Sequence, residues 1–277
     1  MTNPSQAADL FDMAESLGEL SNDSVSLLDP LQTEINAALA QGEKKRAAKV
    51  LLLTVCIDNS PSMAWKGQGS IQNNWEIACG GQNLVFDSMV DSKAAKSVLA
   101  HACFLNDFDG NHGIFFPFRD LVKPDHSKKN RQPNFVVINP SDGRLLGGTP
   151  LCGRMLTTLG AVQAQATDYT KDGSDVLSIT IFQTDGGNNV WDHNEAEVNT
   201  LVTDMRRQER HKIYLGGIDD GVTNYEKFGI DCGLDPDCVR KLPNDPSEIR
   251  AWLEQVSQSA VAASEAADLD AFSQIKL

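Results

Sequence analysis

An α/β fold, with a doubly wound (Rossmann-like), mostly parallel sheet flanked by helices, follows from three observations. Unbroken apolar runs, Val50–Ile57 and Val176–Phe182 above all, read as strands buried on both faces, the condition of strands in a parallel sheet. Segments with apolar residues at helical spacing alternate with these runs. Polar clusters stand directly after the runs, at the strand carboxyl ends where open α/β sheets bind ligands.

The elements follow in chain order. The first ~25 residues are polar and rich in small side chains, a composition expected to stay flexible. Asp29-Pro30 opens a helical pattern through Leu31, Ile35 and Leu39 that ends near Gly42 and packs on the flank of the sheet. Val50–Ile57 is the first core strand. After a connector, Gly67-Gln68-Gly69-Ser70, a helical face runs through Trp75, Ala78, Gln82, Val85, Phe86 and Met89. Gly80-Gly81 within it costs about 1 kcal/mol per glycine relative to alanine, which close packing on the sheet would explain.

Ser97–Leu105 reads as the second strand and Ile114–Phe118 as the third, with Pro117 favouring an edge. Lys123–Pro133 is a basic loop, and Phe135–Ile138 is either a short strand or part of that loop. Pro150 fits a first helical position, with Thr149 as its cap and Leu151, Met155, Leu159 and Val162 as the buried face. Val176–Phe182 is the next strand, Trp191–Arg210 an amphipathic helix, and Lys212–Ile218 a further parallel strand. Asp245-Pro246-Ser247-Glu248 has the pattern of a reciprocal capping box and starts the last clear helix. Residues 49–259 thus form the α/β domain. A segment over 1–48 (flexible stretch plus flanking helix) precedes it, and an alanine-rich helical tail over 260–277 follows. No internal repeat is present.

The chemistry concentrates at three of these strand and helix junctions. Asp58-Asn59-Ser60-Pro61-Ser62-Met63 follows the first strand and offers one carboxylate and two hydroxyls at alternate positions. That set suits a hard cation with oxygen ligands, above all magnesium, although Asp and Ser alone also serve as caps and turn residues. Gly147-Gly148-Thr149-Pro150 adds a hydroxyl before a helix, and Thr184-Asp185-Gly186-Gly187 adds a carboxylate at another strand end. A parallel sheet brings all three loops to one rim.

The order Asp-x-Ser-x-Ser, Gly-Thr-Pro, Thr-Asp-Gly resembles the von Willebrand factor type A (vWA) domain and its metal-ion-dependent adhesion site, from about Lys49 to about Ser259. Asn59 and Pro61 depart from the threonine and small glycine that many members carry there; neither is a liganding position. The resemblance implies a metal site of Asp58, Ser60, Ser62, Thr149 and Asp185. Ser60 and Ser62 would ligate directly, Asp58 and Asp185 directly or through water, and Thr149 would complete or exchange a position. It implies Mg2+, with Mn2+ or Ca2+ as alternative ions, and an open coordination position that accepts an Asp or Glu carboxylate from a partner protein. The chain looks like bacterial stand-alone intracellular members, similar to those found with tellurite-resistance-type proteins. The expected function is therefore a magnesium-dependent adaptor in a stress-response or conflict system, not an enzyme, with a kinase, a phosphatase or an ATPase as partner.

Two other classes compete. Asp58 could be an aspartyl nucleophile for metal-dependent phosphoryl transfer, but Ser60 stands where such chemistry wants a second carboxylate. The chain has no Gly-x4-Gly-Lys-Ser/Thr loop, no Gly-x-Gly-x-x-Gly after a strand, and no Gly-x-Ser-x-Gly elbow around Ser60 or Ser62. A metal-independent scaffold is the third class. Asp219-Asp220-Gly221 reads as a solvated turn, with a place near the site as a strand-end loop the alternative. Asn106-Asp107-Phe108-Asp109-Gly110 lacks the later bidentate Glu of a calcium loop. His101 reads as a core histidine with its hydrogen bonds met, and His112, His126, His193 and His211 have no metal-ligand spacing.

Composition bounds the partners. The formal net charge of −14 disfavours binding nucleic-acid phosphates, and Lys44-Lys45-Arg46 reads as a solvated helix end. No stretch reaches the roughly 18 to 20 apolar residues of a membrane span, and the amino terminus lacks the basic start and apolar core of a secretory signal. The six cysteines are scattered; Cys232 and Cys238 flank a short loop, and unpaired thiols are the favoured state for both. These features together point to the cytoplasm.

Overall fold

The computed structural model describes residues 6–40, 47–67, 69–92, 95–107, 110–121, 137–141, 145–190, 192–265 and 272. Six strands, β1 (Lys49–Ile57), β2 (Val98–Phe104), β3 (Ile114–Asp120), β4 (Asp175–Thr184), β5 (His211–Ile218) and β6 (Val239–Leu242), form one sheet in the order β3-β2-β1-β4-β5-β6. All neighbours pair in parallel except β2 and β3, which pair antiparallel. Pro117 lies, as expected, in an edge strand, where its missing N–H breaks no ladder bond. β1 is central and buried on both faces, which is why its sequence is apolar without alternation.

Helices cover both faces. On one, α4 (Asn74–Asp91) and α8 (Pro246–Glu265) pack on Leu51, Leu53, Val55 and Ile57 of β1. On the other, α5 (Leu151–Thr170), α6 (Glu195–Arg207) and α7 (Tyr225–Asp231) pack on Val50, Leu52 and Cys56. Gly81 does pack closely, but on α8: a Cβ there would stand 2.0 Å from Leu253 Cδ1, whereas Gly80 faces open space.

The amino-terminal segment departs from expectation at its start, where residues 6–28 carry two helices in place of a flexible stretch; the helix expected from Asp29 is present as a 3-10 turn and the helix that follows it. The segment folds into α1 (Gln6–Ser16), α2 (Asn22–Leu28) and α3 (Gln32–Ala38), a second helical layer over α5. Every residue of α5 from Leu151 to Tyr169 is buried as a result, Gln163, Gln165 and Asp168 included. Ala40 N–H donates to Gln165 Oε1 at 2.9 Å, and Ala7 N–H donates to Asn36 Oδ1 at 2.9 Å. At Gly160 a Cβ would stand 2.8 Å from both Leu28 and Ile35, so the missing side chain lets the two layers close.

Asp204 on α6 ties this layer down. It accepts hydrogen bonds from Ser21 N–H (2.6 Å), Ser21 Oγ (2.6 Å) and Ser24 Oγ (2.7 Å), and pairs with Arg207. Burial alone would raise its pKa, but these donors outweigh it and hold the carboxyl below its ordinary value. A depressed folded-state pKa contributes stability above the unfolded pKa, near 3.9, that is lost as pH falls through the folded value. Asp204→Asn is therefore expected to cost about 2–3 kcal/mol at pH 7. The gap from wild type should narrow once pH falls below the unfolded value, so it should be smaller at about pH 3 than at pH 7. Urea midpoints at the two pH values check this; an equal gap at both would refute it.

Several local expectations change. α5 starts at Leu151, with Pro150 rather than Thr149 at its cap position. Asp245 caps α8 through Ser247 N–H (2.7 Å), but its own N–H bonds Pro243 O, so the reciprocal half of a capping box is replaced. α6 begins at Glu195, where Asn194 and Glu197 form a full capping box. Val137 and Ile138 lie in a loop; Lys44–Arg46, Lys123–Pro133, Phe135, Val136, Trp191 and the tail at 266–271 and 273–277 lie outside the described residues. The six cysteines are free thiols. Cys232 lies against Cys152 rather than pairing with Cys238; that neighbouring thiol and burial push its pKa up. Among the described residues, no helix is long and apolar enough to cross a membrane.

Candidate metal centre

β1 and β4 are adjacent, and their connections leave toward opposite sides of the sheet. The crevice between their carboxyl ends is where such sheets bind ligands. Asp58 directly follows β1 and Asp185 directly follows β4. Asp58 N–H donates to Gln183 O at 2.8 Å, which continues the ladder to the last residue before the loops diverge.

A chain of hydrogen bonds joins four of the five predicted donors. Ser60 N–H donates to Asp58 Oδ1 at 2.7 Å, and the Ser60 and Ser62 hydroxyls are 2.9 Å apart. Ser62 Oγ donates to Asp185 Oδ1 at 2.6 Å, across 123 residues of sequence. Asp58, Ser60 and Asp185 are buried and Ser62 is half-buried. Thr149 is also buried; a Cβ added to Gly186 would stand 3.3 Å from its hydroxyl, which places Thr149 beside the residue after Asp185.

Residues outside the predicted set hold this arrangement. Thr184 Oγ1 donates to Asp58 Oδ2 at 2.6 Å, and Asn74 Nδ2 donates to Asp185 Oδ2 at 3.2 Å. Asn59 and Asn106 clasp the neighbouring loops: Asn106 N–H donates to Asn59 Oδ1 (2.8 Å), Asn59 Nδ2 to Asn106 O (3.2 Å), and Asn106 Nδ2 to Gly148 O (2.9 Å). Gly147, at φ +67°, takes a left-handed turn that brings Gly148 to this clasp. Thr149 and Asn189 exchange two bonds, N–H to Oδ1 at 2.6 Å and N–H to O at 3.1 Å. Thr184 stands next to Asp185 in the strand-end triplet, a signal readable in sequence; the asparagines carry none beyond their abundance in loops.

Burial pushes the Asp58 carboxyl up to about 6, against hydrogen bonds from Thr184 and Ser60, and the Asp185 charge adds to the rise. Asp185 is also raised, by burial first and by the Asp220 charge, against hydrogen bonds from Ser62 and Asn74. Two carboxylates and three hydroxyls form an all-oxygen donor set, the chemistry a hard cation takes. Asn74 Oδ1, on the amide whose Nδ2 bonds Asp185, is buried without a hydrogen-bond partner. Among the described residues no three or more His, Cys, Asp or Glu side chains gather into a metal-binding group; this centre holds only two carboxylates.

The remaining candidates do not join this chain of donors, although Asp220 lies close enough for its charge to reach Asp185. Asp220 closes its own turn, accepting from Val222 N–H, Thr223 N–H and Thr223 Oγ1. Asp107 Oδ1 accepts from Gly110 and Asn111 N–H; Phe108 and Asp109 lie outside the described residues. His101 is a core residue stacked on Phe118 (centroids 4.9 Å), but neither ring nitrogen has a partner. Burial, with the Arg154 charge, brings its pKa down to about 3 and keeps it neutral.

No sequence-family profile matches the chain, and no curated protein matches it by sequence. By shape it is similar to the pilus adhesin SpaC from Lactobacillus rhamnosus GG. One SpaC structure gives a TM-score of 0.54 at 12% identity, over 80% of this chain and 32% of that one. Its open conformation gives 0.50 at 13% identity, over 80% and 31%. Proximal thread matrix protein 1 of the mussel byssus gives 0.44 at 14% identity, over 77% and 46%. The chain spans about a third of the SpaC chains it resembles. At these identities the likeness is one of fold: a mixed α/β domain whose mostly parallel six-stranded sheet is flanked by helices.

Proposed function

We propose that this chain is a magnesium-dependent protein-binding module, a doubly wound vWA-type domain whose rim carries a metal-ion-dependent adhesion site. The observation that carries the reading is the unbroken contact from Asp58 through Ser60 and Ser62 to Asp185, oxygen donors from two adjacent strand ends. Ser60 and Ser62 would hold the ion directly, Asp58 and Asp185 directly or through water, and Thr149 would complete the set. Mn2+ and Ca2+ are the alternative ions. A bound ion would supply an electrophilic position open to a carboxylate from outside. The partner is a protein that presents an Asp or Glu; a kinase, a phosphatase or an ATPase of a bacterial stress-response or conflict system fits the proposal. A cytoplasmic setting accords with six free thiols.

Asp58 suits this role better than that of a nucleophile. It is fully buried, and its two oxygens are already held by short hydrogen bonds from Ser60 N–H and Thr184 Oγ1. Immobilised protein is expected to retain a bound partner in millimolar magnesium and release it in chelator, and Asp58→Ala should retain none while keeping its fold by circular dichroism. Isothermal titration separates the metal-free scaffold: no heat of binding at millimolar magnesium or manganese would remove the reading.

A further inference from the structure

Building on the metal-site reading above, we propose that the surrounding rim is a docking surface for an exposed peptide segment of a partner protein in which one carboxylate is flanked by apolar side chains, not for an acidic tract. Four large apolar side chains stand out in solvent on the loops that build the centre: Trp65 (62% exposed), Ile71 (89%), Leu146 (39%) and Val222 (90%). The loops of Trp65, Ile71 and Leu146 are hydrogen-bonded to the site, and the loop of Val222 lies beside it. Trp65 N–H donates to Ser62 O at 2.8 Å, and Trp65 O accepts from Asn74 N–H at 2.9 Å. Ile71 lies between Trp65 and Asn74 on that same loop. Leu146 N–H donates to Asn59 O at 2.8 Å. Val222 N–H donates to Asp220, whose charge reaches Asp185, and a Cβ on Gly187 would touch Thr223 at 3.3 Å.

Single exposed apolar residues are ordinary, but four gathered on the loops around one polar centre mark an interaction surface. The charge pattern selects the occupant. Asp219 and Asp220 stand on the same rim and the chain carries −14 overall, so a run of carboxylates meets repulsion. A single carboxylate meets the ion while its apolar neighbours cover Trp65 and Val222.

Three labelled synthetic peptides test this by fluorescence anisotropy in millimolar magnesium. One carries a glutamate between leucine and phenylalanine side chains, one has serines in the flanking places, and one has glutamates there. The apolar-flanked peptide is expected to bind at least tenfold more tightly than either of the others. The double variant Trp65→Ser, Val222→Ser should lose that advantage while its magnesium titration by calorimetry stays as in wild type. Equal binding of the apolar-flanked and serine-flanked peptides, tightest binding of the glutamate-rich one, or an unaffected double variant would overturn the docking surface and leave the metal site standing. Absence of magnesium uptake by the wild type would overturn both.

Discussion

Removal of residues 1–40 is expected to leave a chain that no longer holds a monomeric native fold. The segment carries Leu10, Phe11, Leu28, Ile35 and Leu39, all buried in the core that includes α5. Full burial of each such side chain stabilises by about 2 kcal/mol. The total rivals the roughly 5–15 kcal/mol that holds a domain together. Truncation would also strip the cover from α5, leaving Gln163 without Glu19 (3.1 Å) and Arg210 without its ion pair to Glu19 (2.7 Å). Size-exclusion chromatography and urea titration check the result: a truncated chain that elutes as a monomer with an unchanged midpoint would contradict it. Leu28→Ala probes the same interface more gently, with an expected loss of about 2–5 kcal/mol.

Magnesium is expected to raise the unfolding temperature of the wild type and to have no such effect on Asp185→Ala. A ligand that binds only the folded state stabilises it by about 2.7 kcal/mol when present at 100 times its dissociation constant. For a domain of this size that corresponds to a rise of roughly 5–10 °C. Asp185 is the choice for removal because Ser62 and Asn74 both bond to it, so its loss breaks the link between the two strand ends. Asp185→Ala also takes a buried carboxylate out of an anionic cluster, so its melting temperature without metal need not fall. The difference between metal-loaded and chelated samples is therefore the decisive readout. An equal shift in both proteins would place any bound ion elsewhere.

The sheet was largely legible in the chain because its central strands are buried on both faces, and such strands announce themselves as unbroken apolar runs. β6 is not legible: it is four residues long, and its middle pair, Arg240 and Lys241, points to solvent. The amino-terminal layer is hidden for a different reason. Its α1 face is built from Ala7, Leu10, Phe11 and Ala14, too sparse to signal burial without the partner helix α5. At the centre, Asp58, Ser60, Ser62, Thr149 and Asp185 stand out by residue type and by position after strands. Thr184, Asn74 and Asn106 acquire a role only once distant loops meet, so no local pattern marks them.

Among the described residues, the sheet is roofed by two helical layers on one side and by a single layer on the other. Such an asymmetric sandwich resists deformation unevenly. Backbone amides of α5 should exchange with deuterium only through global opening, whereas those of α8 have a cheaper, local route. Any strain that a tethered partner exerts at the rim would then be relieved through the thinner flank, and Thr149, mounted at the head of the clamped rod, would keep its place longest.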